Sequence, residues 1–392
     1  MVQLIVKLIA DTRHVKKAKG NEQAMSRSLH ESLQDQVIAL DPSSARKQFI
    51  SARRGGSDEL SILADISPQS GINVAQIVFG GNSFQKQAQA RFGKPEWPLF
   101  WLQGDVCPGT QISGAQAFVV DEATVRYIKL DGRIVGSYWE DDDADYSLLA
   151  GILPVSFDAT PGGQAYSSFE QIETALSKVG MDFSHVVRTW LYLDKLLDWY
   201  DEFNVARTNF FLSRGVFDRL IPASTGIGAS NPYGAALASG VLAIRPKHDQ
   251  IQIREVASPL QCAATEYRSS FSRAVEVTFP EHRYLTISGT ASIAPSGESL
   301  YQGDVVKQIH LTLDVVQAIL KSRGYEWADT VRAIAYFRDI NDLPAFDAIL
   351  KERGIAPLPL APAHTIVCRD DLLFEIELDA MKNLLDKAVV YA

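Results

Sequence analysis

The sequence repeats a whole series of elements, and this repeat constrains the fold more than any other feature. The first copy starts at YSLLAGILPVS (146–156) and the second at YLTISGTASIA (284–294). Each copy continues into a stretch with helical spacing, a glycine, a strand-like run and a second helical stretch. Two units with the same β-β-α-β-α-β order predict an α+β protein whose two sheets can pack face to face.

The first helical stretch of each copy carries apolar residues every three or four positions, as an amphipathic helix does. Each stretch ends at a glycine, Gly180 or Gly324, where a left-handed C-cap is common. The strand-like runs VVRTWLYL and TVRAIAYF then begin at the same distance from that glycine, so that Arg188 corresponds to Arg332. The repeat therefore extends to individual residues.

The repeat divides the chain into four parts. The two units cover residues 146–247 and 270–384, a polar extension covers residues 1–60, and a β-rich part covers residues 61–145. The extension is rich in Lys, Arg, Ser, Gln and Asp, so we expect a partly helical or mobile segment without a catalytic role. The β-rich part is predicted from short apolar runs that are bounded by Gly, Pro or Asp.

Composition and charge exclude several classes of protein. The 392 residues are 46% hydrophobic and 22% charged, which is typical of a soluble globular protein. A net charge of −9 argues against a nucleic-acid or anionic-membrane surface. The initial run MVQLIVKLIA is too short to span a membrane and has no signal-peptide pattern around it. We therefore expect a cytoplasmic protein whose partner is a small molecule.

Cysteine and histidine spacing gives no indication of a metal site. The three cysteines are far apart and form no Cys-x-x-Cys pair, which disfavours a disulfide framework or a zinc site and fits a reducing cytoplasm. The seven histidines show no pair at metal-ligand spacing. We expect neither a metal nor a cofactor.

The strand-like segment CRDDLLFEIELDA (368–380) has an unusual distribution of acidic residues. Because side chains alternate along a strand, Phe374 and Ile376 share one face while Glu375 and Glu377 share the other. A strand with two carboxylates on one face needs either solvent or a chemical use for that face. Glu375 is therefore a candidate functional residue.

Several of these segments together resemble known families. The glycine-containing hairpin, the helix ending in glycine, the Val-Arg strand and the Glu-Ile-Glu strand resemble the RidA (YjgF) fold, a chorismate-mutase-like fold that normally assembles as a trimer with clefts between neighbouring sheets. Five segments in order resemble the chorismatase family, which releases pyruvate from the enolpyruvyl ether of chorismate. The resemblance spans about residues 95–384, and its segments are FNVARTNFF (203–211), IPASTGIGASNPYGAAL (221–237), ASPLQCAATEYRSSFSRAVEV (257–277), ISGTASI (287–293) and FEIEL (374–378).

The resemblance implies that Glu375 is the catalytic acid that protonates the methylene carbon of the vinyl ether. An unperturbed Glu titrates near pH ~4.3, so the pKa would have to be raised by about two units for donation at neutral pH. Glu377 is expected to be a structural partner. Cys368 resembles the cysteine of the hydroxybenzoate-forming branch, where it would position or relay a proton, whereas dihydrodiol-forming hydrolases lack that thiol. Gly289 fits the same branch.

The same resemblance implies the residues that bind the substrate. Arg207 and Arg273 would each bind a carboxylate, for which a guanidinium is suited by its bidentate geometry. Tyr267 would contact a hydroxyl or a carboxylate. Tyr233 is a further candidate contact, from the stretch PASTGIGASNPYG. That stretch lacks the Lys-Ser/Thr of a phosphate loop, and we assign it to a loop that lines the cleft.

The expected reaction converts chorismate to 3-hydroxybenzoate, alone or with the 4-isomer, plus pyruvate. The alternatives are a dihydrodiol-forming chorismate hydrolase, a RidA-type imine deaminase, and a non-catalytic binder of aromatic carboxylates. A deaminase would need an arginine upstream of the Glu-Ile-Glu strand, where this chain has His364. The first unit's strand LASGVLAIRP has no carboxylate, which predicts one active site per chain. Monomer and homotrimer both remain open, since duplication can replace an interface between chains.

Overall fold

The computed structural model describes residues 36–40, 47–53, 58–121, 123–267 and 269–384. Most of the predicted polar extension, residues 1–35, lies outside the described residues, and so does the side chain of Tyr267. The described residues form an eleven-stranded and a six-stranded sheet with helices on their outer faces. The α+β class and the tandem RidA-like units predicted from the sequence are confirmed.

The N-terminal set of elements has two short helices and five strands. Its strands lie in the order β1-β2-β5-β3-β4, and β3 is parallel to β4. The elements are β1 (Gln36–Leu40), β2 (Lys47–Arg53), α1 (Ser61–Asp65), β3 (Ile72–Gly80), α2 (Asn82–Phe92), β4 (Leu99–Gly104) and β5 (Ile112–Val120).

The first repeated unit continues the same sheet, because the end of β10 pairs with β4. Its strand order is β6-β7-β8-β11-β9-β10. The elements are β6 (Arg126–Leu130), β7 (Arg133–Glu140), β8 (Ala144–Ile152), α3 (Pro161–Ser177), β9 (Val186–Leu193), α4 (Leu196–Ser213), β10 (Ala223–Ser230) and β11 (Leu237–Pro246).

The second repeated unit forms the six-stranded sheet in the matching order β12-β13-β14-β17-β15-β16. The last five strands of this order correspond one by one to the five strands of the N-terminal set, so the chain contains three units of one topology. The elements are β12 (Gln252–Val256), β13 (Ala274–Thr278), β14 (His282–Ala291), α5 (Val305–Ser322), β15 (Thr330–Phe337), α6 (Leu343–Glu352), β16 (Leu360–His364) and β17 (Phe374–Asn383).

The helices and central strands of the repeat lie where the periodicity predicts them. Gly180 and Gly324 adopt φ values of +71° and +74°, the left-handed conformation in which glycine ends a helix without steric cost. β9 and β15 coincide with the runs VVRTWLYL and TVRAIAYF. The stretch PASTGIGASNPYG lines the cleft as predicted, through Ser224 and Gly226, but most of it is a strand and only residues 231–234 form a turn. Its residues Ala223–Ser230 form β10, parallel to β9, because their small side chains allow close backbone pairing that no periodicity reveals.

The described part of the predicted polar extension also differs from expectation. Residues 36–40 and 47–53 are β1 and β2, and β2 pairs with β5 across its whole length. Ile50 and Ala52 are buried in the core, so this strand is held by packing that its polar neighbours conceal in the sequence. β6 and β7 precede residue 146 but belong to the sheet of the first unit. The other predicted domain boundaries stay predictions.

The three units meet at a common aromatic core. Phe79 of β3 lies 6.0 Å from the ring of Tyr192 on β9 and 5.9 Å from that of Tyr336 on β15, in edge-to-face geometry. These residues occupy matching positions in their units, and the two tyrosine hydroxyls are 3.4 Å apart. The inner faces of all three units therefore pack together, as the face-to-face prediction requires. No described helix is both long and apolar enough to cross a membrane.

Candidate active site

A cleft of about 990 Å³, open to solvent, lies where the first and second repeated units meet. α4 and β10 contribute from the first unit, and β14 and β17 contribute from the second. Four of the residues predicted for the site, Arg207, Arg273, Gly289 and Cys368, line it together with Glu375. The remaining lining residues are Tyr200, Asp201, Asn204, Ser224, Gly226, Ser269, Phe271, Ala291, Ile293 and Arg369.

Glu375 lies on β17 between Tyr336 of β15 and Ala291 of β14, and it is 5% exposed. Burial, assisted by the neighbouring charge of Glu377, raises the pKa of Glu375 to about 8. Glu375 is therefore mainly protonated at neutral pH. A protonated carboxylic acid that lines a solvent-accessible cleft can donate a proton to a bound molecule.

Glu377 is fully buried and has the opposite electrostatic character. Its carboxylate accepts hydrogen bonds from Arg188 at 2.7 Å, Trp190 Nε1 at 2.8 Å and the Tyr336 hydroxyl at 3.2 Å, and it also pairs with Arg332. Burial alone would raise the pKa of Glu377, but the two guanidinium groups outweigh burial and hold this pKa at about 2. Glu377 is thus a fixed negative charge beside the neutral Glu375.

Arg188 connects this buried charge to the cleft wall. Its guanidinium donates to Glu377, to the Ile287 carbonyl oxygen at 3.2 Å and to Thr225 Oγ1 at 2.5 Å. Thr225 Oγ1 also accepts the backbone N–H of Gly289 at 3.0 Å. Arg188 and Thr225 belong to the first unit and the other three to the second, so this network fixes the relative position of the two walls.

Gly289 is the one position in the cleft where a side chain would collide with the acid. A Cβ added at Gly289 would lie 1.9 Å from Oε1 of Glu375 and 3.2 Å from Thr225 Cγ2. Nothing larger than a hydrogen atom fits there unless Glu375 moves. Gly289 therefore allows the acid to occupy its place between the two units.

Two buried arginines stand around the cleft. Arg207 on α4 is 2% exposed and donates to Asn204 Oδ1 at 2.7 Å and to Ser269 Oγ at 2.9 Å. Arg273 is 4% exposed and donates to the Cys262 carbonyl oxygen at 3.0 and 2.9 Å. Both guanidinium groups lie within 6 Å of the ring centroid of Phe271. Their positions are fixed by these neutral contacts, and their charges make the cleft suitable for an anionic ligand.

Several known proteins are similar to this chain in sequence and in fold. Residues 262–382 match the family model described as Endoribonuclease L-PSP. The chain is 28% identical to a chorismatase from Streptomyces rapamycinicus over 222 residues, which are 50% of this chain and 64% of that relative, or less than two thirds of its length. It is 27% identical to a 3-hydroxybenzoate synthase from Streptomyces hygroscopicus over 266 residues, 60% of this chain and 74% of that relative. The crystal structure of a chorismatase has the same fold, with a TM-score of 0.62 over 88% of this chain and 99% of that chain at 18% identity.

The chain is thus similar to chorismatases in sequence and in fold. The residues that match the L-PSP family model include Arg273, Gly289, Cys368 and Glu375. Arg207 comes from the first repeated unit, outside those residues. The cleft therefore depends on both units.

Cys368 faces the cleft next to Glu375 and is half-buried. Burial and the nearby Glu375 raise the pKa of the Cys368 thiol to about 12, although a hydrogen bond from Tyr200 opposes this shift. The thiol is therefore protonated at neutral pH. It can donate a hydrogen bond or pass on a proton, but it is not a thiolate nucleophile.

Tyr233 was predicted to contact the cleft, and the structure places it elsewhere. β10 carries the chain from the cleft towards β4, and Tyr233 follows the end of that strand. It is 49% exposed and its ring lies 5.2 Å from the guanidinium of Arg133. Tyr267 lies in the short 3-10 turn before the cleft, and its side chain is outside the described residues.

Three residues without a predicted role, Arg188, Arg332 and Thr225, hold the charge beside the acid. A signal for the two arginines was present, because they occupy the same position in the two copies of the repeat. A duplicated arginine in the middle of an otherwise apolar strand indicates a buried partner of opposite charge. Among the described residues, no group of three Asp, Glu, His or Cys side chains could hold a metal ion.

Proposed function

We propose that this chain is a chorismatase, an enzyme that releases pyruvate from chorismate, and that Glu375 is its acid. The observation that carries the proposal is a buried, protonated carboxylic acid beside two buried arginines in a cleft of a chorismatase homologue. Chorismate carries two carboxylates and a vinyl ether, so it matches both the charge and the proton donor of this cleft.

In the proposed reaction the arginines bind the substrate and Glu375 starts the chemistry. Arg207 and Arg273 hold the two carboxylates, which brings the enolpyruvyl group against Glu375. The Glu375 proton moves to the terminal methylene carbon, and the π electrons of the vinyl ether form the new C–H bond. This leaves an oxocarbenium ion at the ether carbon and a carboxylate on Glu375. The positive charges of Arg188 and Arg273 stabilise that carboxylate.

We further propose that the aromatic product is 3-hydroxybenzoate. 3-Hydroxybenzoate and pyruvate together contain the atoms of chorismate, so no net water is consumed when the oxocarbenium ion is trapped within the substrate. One ring C–O bond then breaks and a ring proton is lost, which gives the aromatic ring and releases pyruvate. The protonated thiol of Cys368 relays a proton during this rearrangement. The cysteine in the cleft and the similarity to a 3-hydroxybenzoate synthase support this branch over the dihydrodiol-forming one.

Incubation of the purified protein with chorismate tests the activity. Pyruvate release should exceed the spontaneous rate for the wild type and fall to that rate for Glu375→Gln. Glu281→Gln, which removes an exposed carboxylate outside the cleft, is the matched control and should retain wild-type release. Wild-type protein without pyruvate release would contradict the proposed activity, and an active Glu375→Gln variant would contradict the role of the acid.

Chromatography of the same reactions tests the branch. The wild type should form 3-hydroxybenzoate, and Cys368→Ala should form less of it and accumulate the dihydrodiol instead. A dihydrodiol product from the wild type would retain the chorismatase activity but refute the role of Cys368.

Imine deaminase activity is less well supported, because His364 stands where a deaminase would have its substrate-binding arginine. His364 is half-buried, bonds through Nδ1 to Gln111 Nε2 at 3.1 Å, and has its pKa lowered by burial. It is therefore neutral at pH 7 and supplies no cation to anchor a carboxylate. Hydrolysis of 2-iminopropanoate at a rate comparable to chorismate turnover would favour the deaminase instead.

A further inference from the structure

A second cleft occupies the corresponding junction between the N-terminal set and the first unit. It encloses about 1070 Å³, open to solvent, between α2 and β4 on one side and the β6–β7 turn and β8 on the other. α2 and β4 correspond to α4 and β10 of the Glu375 cleft, and β8 corresponds to β14. The lining residues are Gln85, Gln89, Lys94, Pro95, Glu96, Trp97, Leu99, Lys129, Gly132, Arg133, Ile134, Gly151 and Tyr233.

The strand register shows what distinguishes the two clefts. Ala238 of β11 pairs with Tyr192 just as Glu375 of β17 pairs with Tyr336. The first unit therefore has an alanine at the position that corresponds to the acid, and Glu96 is the single acidic residue that lines the second cleft. This cleft retains a glycine in the wall at Gly151, where a Cβ would lie 2.6 Å from the Leu99 carbonyl oxygen. The second cleft is present although the residue that corresponds to Glu375 cannot donate a proton. Its geometry therefore supports binding of a ligand and not the chemistry of Glu375.

The charge of the second cleft favours an anion. Lys94, Lys129 and Arg133 face a single acidic residue, Glu96, so the lining is positive although the chain has a net charge of −9. Arg133 uses one donor, Nη1, on the Gly151 carbonyl oxygen at 3.1 Å. Within the described part of the chain the contacts of the Arg133 guanidinium are this carbonyl oxygen and the ring of Tyr233, so its remaining donors can bind a ligand carboxylate.

Two aromatic side chains give this cleft a preference for a ring. Trp97 donates its indole Nε1 to Gln76 Oε1 at 3.1 Å, which fixes the indole in the cleft wall. Tyr233, half exposed, is held against the guanidinium of Arg133. Aromatic faces beside a guanidinium suit a planar ring that carries a carboxylate, since the ring stacks while the carboxylate pairs.

We propose that this cleft is a second ligand site, which binds an aromatic carboxylate without converting it. It takes the ligand through Arg133 and Lys94 and the rings of Trp97 and Tyr233. The site is separate from the Glu375 cleft, and its occupancy does not depend on the reaction proposed for that cleft.

Calorimetric titration with 3-hydroxybenzoate as the probe tests the site. Binding that is weakened at least tenfold by Arg133→Gln, but retained by Arg207→Gln, is the expected result. Lys86→Gln, an exposed change on α2 outside the lining, is the control and should bind as the wild type does. Tyr233→Ala should also weaken the probe, and it provides a second variant if Arg133→Gln fails to fold.

Two results would overturn the proposal. One is a wild-type isotherm whose entire binding is abolished by Arg207→Gln, which would assign the probe to the Glu375 cleft alone. The other is inorganic phosphate binding to the Arg133-dependent site as tightly as 3-hydroxybenzoate, which would show a simple anion site. Pyruvate release, measured on the same variants, should be unchanged in Arg133→Gln, so failure of this site and failure of the proposed chorismatase activity are distinguishable.

Discussion

Replacement of Glu377 by Gln should change the pH dependence of the catalytic rate more than it changes the maximal rate. Glu377 does not line the cleft, but its fixed charge is one cause of the raised pKa of Glu375. Gln has nearly the same shape, and its amide oxygen can still accept the hydrogen bonds that reach one of the two carboxylate oxygens, those from Trp190 and Arg332. The substitution therefore removes a charge beside the acid while it leaves the cleft wall in place.

The size of the effect follows from the spacing of side chains on a strand. Two carboxyl groups two residues apart on one face of a strand are about 7 Å apart, and at an effective dielectric constant of ~20 their repulsion is roughly 2.4 kcal/mol, or ~1.7 pKa units. Without that charge, the pKa of Glu375 should fall from about 8 to between 6 and 7. The acid would then be largely deprotonated near pH 7.5 and still protonated near pH 5.5.

Initial rates of pyruvate release from pH 5 to pH 9 measure this shift. Glu377→Gln should lose about tenfold near pH 7.5 and stay close to the wild type near pH 5.5. Asp379→Asn is the matched control, since Asp379 also pairs with buried Arg332 at 2.9 Å but lies two residues further from Glu375. Both variants break a buried ion pair and should lose roughly 3–5 kcal/mol of stability. A basic limb that is unchanged in Glu377→Gln would refute the argument.

Three further predictions concern the cleft itself. Gly289→Ala should reduce pyruvate release by about 100-fold, because the added Cβ displaces Glu375. The control is Gly226→Ala, whose Cβ would meet no atom within 4 Å and which should leave the pH profile unchanged. Arg207→Lys should raise the KM for chorismate roughly tenfold with a smaller effect on kcat, in initial-rate measurements, because an ammonium cannot replace the bidentate fork. Glu375→Gln should unfold at higher urea concentration than the wild type at pH 9 but not at pH 4. Because the pKa of Glu375 is raised in the folded state, the wild type loses stability between about pH 4.5 and pH 8, on the order of 5 kcal/mol in total, and the Gln variant lacks this loss.

The repeated helices and central strands could be predicted because their patterns are local. α3 and α5 each carry an apolar stripe that one helix face explains, and each ends at a glycine that only a left-handed cap explains. β10 could not be predicted in the same way. Its residues Ala223–Ser230 are mostly small, with no alternation, and they form a strand because β9 offers a parallel edge. That edge exists only in the folded chain.

The acid could be predicted from its strand, but its surroundings could not. The alternation of β17 places Glu375 and Glu377 on one face, and the resemblance singles out the first of them. Their opposite protonation states depend on Arg188, which lies 189 residues from Glu377 in sequence. No local pattern connects two residues at that distance. Only the matching positions of Arg188 and Arg332 in the repeat indicated that both have a common buried role.

Fusion of three like units into one chain allows the three junctions to differ, which a symmetric trimer of identical chains cannot do. The position of Glu375 is Ala238 in the first unit and, by its pairing with Phe79, Gly114 in the N-terminal set. At the junction between the N-terminal set and the second repeated unit, a Cβ on Gly114 would lie 2.5 Å from the Pro362 carbonyl oxygen, so β16 fills the space that a ligand would need. A buried acid with a raised pKa lowers the stability of the fold at neutral pH. A chain with one such acid has this loss of stability once, whereas a symmetric trimer has it at all three junctions. The asymmetry therefore confines the acid to one junction, closes a second, and leaves the third free to bind a ligand that the protein does not convert.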